Sequence, residues 1–139
     1  MAAQFALNAI GPAWVLKHLM ARLPKGQACR IGVLSARVGS IGDNRSGGWY
    51  AYRAAKAAQN QLLHTLALEW RRRLPHLCVS LLHPGTTATP LSQPFQANVP
   101  AQQLFSPARA ADQLLDVLSG LAADRSGGFW AWDGQVIPW

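Results

Sequence analysis

Two short apolar runs constrain the fold most: Cys29-Arg30-Ile31-Gly32-Val33-Leu34-Ser35 and Leu77-Cys78-Val79-Ser80-Leu81-Leu82. Each has the length of a buried strand. The second stops abruptly at His83-Pro84-Gly85. Between the runs, a stretch from about Tyr50 to Arg73 holds no Gly or Pro and is rich in Ala, Leu and Gln. Such a stretch reads as one long helix. Strand, crossover helix and strand predict a right-handed βαβ unit, hence a parallel sheet.

The flanking segments extend the same alternation. Trp14, Val15, Leu19 and Met20 recur near helical spacing, which predicts a first helix over about Ala6 to Leu23, interrupted early by Pro12. Ser106-Pro107 predicts a helix start, with the serine as N-cap and the proline at the first helical position. Ala111, Leu114, Leu115, Leu118 and Leu121 follow at amphipathic spacing. Phe129-Trp130-Ala131-Trp132 reads as a third short strand, and Thr86 to Phe105 as loop. On the long helix, Ala54, Ala58, Leu62, Leu66 and Trp70 form one apolar stripe, with Leu63 and Leu68 outside it, so burial on two sides is expected. The whole is expected to be one α/β domain over 1–139.

Composition removes several function classes. No apolar run reaches the roughly 18 residues of a membrane span, and Met1 to Asn8 lacks a signal-peptide pattern. Cys29 and Cys78 both sit in apolar runs and read as reduced core thiols, which suits a cytoplasmic location. Thirteen Lys and Arg face six Asp and Glu, a net charge of +7. The only basic run, Arg71-Arg72-Arg73, falls at a helix C-terminus, where cations complement the dipole. That placement argues against nucleic-acid binding. His18, His64, His76 and His83 have no ligand-like spacing, so no metal is expected.

In open parallel sheets ligands bind beyond the carboxyl ends of the strands. There, Tyr52 and Lys56 stand four residues apart at the start of the long helix and share a face. A phenol is a poor acid at neutral pH, and a neighbouring ammonium favours its ionised form and lowers its pKa. Tyr52 could then protonate a carbonyl oxygen as a hydride reaches the carbon, with a nearby hydroxyl orienting that oxygen.

Ordered motifs surround this pair: Asn8-x-x-x-Pro12, Leu34-Ser35-x-x-x-Gly39-Ser40-Ile41, Gly47-Gly48-x-Tyr50-Ala51-Tyr52-Arg53-x-x-Lys56, His83-Pro84-Gly85-x-x-x-Thr89 and Gly127-Gly128-Phe129-x-x-x-Asp133-Gly134. Together they resemble the short-chain dehydrogenase/reductase family, most of all its sniffer-type carbonyl reductase and C-factor-like branch. The resemblance implies the C-terminal part of a Rossmann-like, doubly wound parallel sheet. It implies NADP or NAD as cofactor, a small carbonyl substrate, and Tyr52 as acid/base. Lys56 would lower the tyrosine pKa and bind the nicotinamide ribose. Pro84, Gly85, Thr87 and Thr89 would line the nicotinamide. Asn8 would serve a proton relay, since Pro12 has no N–H for the carbonyl of residue 8.

Two departures stand out. Where the family shows two adjacent serines, this chain has Ser35-Ala36, so Ser35 is the nearest substitute for the catalytic serine and Ser40 the next. No Gly-x-x-x-Gly-x-Gly precedes the tyrosine motif. By the resemblance, on the order of 80–100 residues would precede this chain, at ~30 per βαβ unit. The expectation is therefore an oxidoreductase; the alternative is a truncated, catalytically inactive relative that binds no dinucleotide alone, either an oligomerising or interaction protein or a gene fragment. An open strand edge and the Tyr50–Arg73 helix are the expected contacts of a homo-oligomer.

Overall fold

The computed structural model describes residues 1–139. Its main sheet holds β1 (Cys29–Leu34), β2 (Leu77–His83) and β5 (Phe129–Ala131), in the order β1-β2-β5. Both pairings are parallel, with Cys29 opposite Leu77 and Leu81 opposite Phe129. The βαβ expectation therefore holds, and the third strand ends one residue earlier than the sequence suggests.

Alternation along β2 divides the core in two. Leu77, Val79 and Leu81 join Leu16, Leu63, Ala67 and Trp70 on one face, beneath α3 (Tyr50–Trp70) and α2 (Gly11–Leu19). Cys78 and Leu82 join Leu114, Leu121 and Trp130 on the other, beneath α4 (Pro107–Gly120). Ser106 caps α4 as predicted, its Oγ accepting the Arg109 N–H at 3.2 Å. No helix is long and apolar enough to cross a membrane.

Three local features differ from the expectations. The first helical run begins earlier, with α1 (Ala2–Phe5), and passes through a π turn at Ala6–Ile10 before α2. There the Gly11 N–H reaches back to the Ala6 carbonyl. Pro12 cannot donate to the carbonyl four residues before it, and a wide turn just upstream accommodates that loss. The long helix stops at Trp70, and only one face is buried: Ala55, Lys56, Gln59, Asn60, Leu63, Ala67 and Trp70. Leu62 and Leu68 remain exposed. The buried stripe is thus shifted by one position and carries polar residues. Finally, the expected loop contains a second, parallel pair, β3 (Thr86–Thr87) with β4 (Leu104–Phe105). It pins both ends of the segment that follows Gly85.

Candidate active site

The approach to α3 is tightly wound. Gly47 and Gly48 have φ of 63° and 73°, and Trp49 follows at φ 48°, also left-handed. For a bulky residue this conformation costs roughly 1–2 kcal/mol. Upstream, the turn Arg37–Gly39 presses on the helix: a Cβ at Gly39 would lie 2.9 Å from the Lys56 backbone carbon. The turn and the helix meet at this distance only because residue 39 has no side chain.

Tyr52 and Lys56 lie on one side of α3, with Nζ 5.9 Å from the centre of the phenol ring. Lys56 is almost fully buried. Its Nζ donates to the Leu34 carbonyl at 3.1 Å and to Gln59 Oε1 at 2.9 Å. Gln59 Nε2 donates to the same Leu34 carbonyl at 3.2 Å. The last residue of β1 therefore anchors the ammonium. Burial lowers the Lys56 pKa below the usual lysine value. Burial also raises the Tyr52 pKa above the usual phenol value. This is the reverse of the direction expected from sequence, because burial disfavours the charged phenolate.

The hydroxyl candidates are committed elsewhere. Ser35 is buried, and its Oγ donates to Asn60 Oδ1 at 2.6 Å. The Asn60 Nδ2 is buried without a partner. Ser40 Oγ donates to the Pro138 carbonyl and accepts the Asp43 N–H at 3.0 Å, tying the loop after β1 to residues 138 and 139. The Gly42 N–H, which donates to the Trp139 carbonyl at 2.7 Å, completes that tie. Asn8 lies inside the π turn, which packs on α3. Its Nδ2 donates to the Gln4 carbonyl at 3.2 Å and to Gln4 Oε1 at 2.7 Å.

The segment beyond β2 supplies the remaining candidates. Gly85 has φ 73°, and a Cβ there would fall 2.6 Å from Phe105 Cε2. Thr87 Oγ1 is buried with no partner. Thr89 donates its N–H to Ser92 Oγ at 3.3 Å, and its carbonyl accepts from Ser92 Oγ and Gln96 Nε2. At the end of β2, His83 Nδ1 is likewise buried without a partner. Burial pushes the His83 pKa down to about 4; the Arg37 charge lowers it further, and Asp133 opposes both.

Sequence reasoning missed Gln59, Asn60 and His83. The first two were findable, since they stand three and four residues past Lys56 on the same face. His83 stands in the His83-Pro84-Gly85 motif, but its sequence context gives no sign that its ring is buried.

A sequence model of the short chain dehydrogenase family matches residues 1–100. The chain is 34% identical over 138 residues to 1-hydroxy-2-glutathionyl-2-methyl-3-butene dehydrogenase of Rhodococcus sp. (strain AD45), covering 98% of this chain and 57% of that protein. It is 34% identical over 140 residues to C-signal of Myxococcus xanthus, covering 100% of this chain and 78% of that protein. Carbonyl reductase Sniffer of D. melanogaster superposes with a TM-score of 0.79 at 24% identity, over 97% of this chain and 55% of that one. NADPH-bound carbonyl reductase from chicken fatty liver superposes at 0.66 with 28% identity, over 79% and 42%. The chain thus spans little more than half the length of the Rhodococcus dehydrogenase and of Sniffer.

Proposed function

The chain belongs to the short-chain dehydrogenase family, and from that premise we propose that it is an oxidoreductase reducing a small carbonyl compound with NADP(H). The observation that carries this reading is the Tyr52–Lys56 pair, held on one side of α3 with the ammonium 5.9 Å from the phenol ring. The pair stands where α3 begins, beyond the carboxyl end of β1, the side on which open parallel sheets bind ligands. The NADPH carried by the chicken carbonyl reductase favours NADP over NAD.

A nicotinamide cofactor, when bound, supplies the hydride. The residues present suit its nicotinamide and ribose end. Thr87 Oγ1 and His83 Nδ1 are buried polar atoms still lacking partners. Two Lys56 hydrogens are taken by Leu34 and Gln59, which leaves a third for a ribose hydroxyl. Pro84 and Gly85 bring bare backbone to the same rim. Tyr52, with its raised pKa, keeps its proton throughout neutral pH and donates it to the carbonyl oxygen. The Lys56 ammonium then favours the phenolate left behind. Asn8 would hold a water on the way to Lys56, and Ser35 would act through Asn60 rather than on substrate.

The second reading is a self-associating relative without a dinucleotide site of its own. It draws on the exposed Leu62 and Leu68 of α3 and on the unpaired edge of β1. NADPH fluorescence separates the two. Saturable binding, with carbonyl reduction falling at least ~100-fold in Tyr52→Phe, supports the enzyme. No binding at millimolar NADPH supports the relative.

A further inference from the structure

Trp49 and Phe95 have no part in the machinery described so far, and their setting is unusual. Trp49 keeps its left-handed backbone because Arg53 clamps the loop around it. Arg53 Nε donates to the Gly47 and Gly48 carbonyls at 3.1 and 3.0 Å. Its Nη1 reaches the Val38 carbonyl at 3.3 Å, and its Nη2 the Ser46 hydroxyl at 3.0 Å. The guanidinium carbon also stands 5.6 Å from the Trp49 ring. All this order presents an indole that is 51% exposed, so burial in the core is not its purpose.

The ring instead meets Phe95 edge-on, with centroids 5.4 Å apart. Phe95 is also 51% exposed, and it sits in the 3-10 segment Gln93–Asn98 beyond Gly85. One ring thus precedes Tyr52 by three residues, and the other belongs to the segment pinned by β3 and β4. Their contact joins the two strand-end segments that flank the Tyr52 turn. Strain in a bulky residue concentrates at ligand sites, and exposed aromatic faces receive flat apolar groups.

We infer that Trp49 and Phe95 form an aromatic gate beside Tyr52, selecting carbonyl substrates that carry an aromatic or similarly flat apolar substituent. The inference rests on Tyr52 as the proton donor, so its test includes a readout free of turnover. In full-length protein with 15N-labelled indoles, the Trp49 signal is identified by its loss in Trp49→Phe. That signal shifts saturably with benzaldehyde and not with propanal at equal concentration. Phe95→Leu weakens the benzaldehyde response about tenfold. Where NADPH-dependent turnover is seen, the kcat/KM preference for benzaldehyde over propanal falls about tenfold in Trp49→Gly, a variant that tolerates the left-handed backbone. Trp49→Phe restores it. No shift with benzaldehyde, or an equal response to propanal, overturns the gate. Benzaldehyde binding at Trp49 without turnover of either aldehyde leaves the gate standing and overturns the catalytic reading.

Discussion

β1 and β2 lie side by side in register, yet they meet different surroundings. Every β2 residue from Leu77 to Leu82 is buried, whereas β1 alternates half-buried and exposed along its whole length. β2 has strands on both edges and packed side chains on both faces. β1 has one strand neighbour, and only its Cys29, Ile31 and Val33 side packs into the larger core cluster. On its other side, Leu34 is 59% exposed. The two strands also end differently. β1 ends in a carbonyl that holds an ammonium, and β2 in a histidine with an unmet ring nitrogen. An apolar run therefore gives a strand, but its neighbours decide how much that strand stabilises.

The contrast can be broken at its strongest point. Leu81 is fully buried, and Leu81→Ala should cost about 3–4 kcal/mol in urea unfolding. The end of β2 comes next. Between pH 6.5 and about 4 the unfolded chain binds a proton at His83 and the folded chain does not. Stability therefore falls on acidification across that window, by up to about 3 kcal/mol. Urea midpoints at neutral and acid pH would show this, and His83→Gln should flatten the difference. At the end of β1, Ser35→Ala strips Asn60 of its partner and should cost roughly 1–2 kcal/mol. Replacing both residues together with apolar ones should cost less than the single change. Smallest of all, Leu34→Ala should stay within about 0.5 kcal/mol, as at other exposed positions. A large loss there would mean that something covers this side of β1 in solution.

The strands and the α4 cap were legible because their signals are local: an apolar run bounded by turn residues, and a serine before a proline. The Tyr52–Lys56 rung was legible for the same reason, since four residues along a helix fix a shared face. The buried stripe of α3 was not. Lys56, Gln59 and Asn60 are inside because Leu34 and Ser35, more than twenty residues earlier, supply their partners. Hydropathy sees only three polar side chains there. The Tyr52 pKa escaped similarly, since its direction follows from burial, which helical spacing does not show. β3 and β4 are two residues each, too short for any periodic pattern. The π turn follows from the missing N–H of Pro12, which marks where the helix must adjust without saying how.

The anchoring of Lys56 has a consequence for chemical labelling. The chain has three lysines, and Lys17 and Lys25 lie open to solvent while Lys56 does not. An amine reagent meets the first two freely, and meets the third only when the end of β1 lets go of it. The acylation rate at this one side chain therefore reports whether the strand tip is in place, with no substrate or cofactor in the tube.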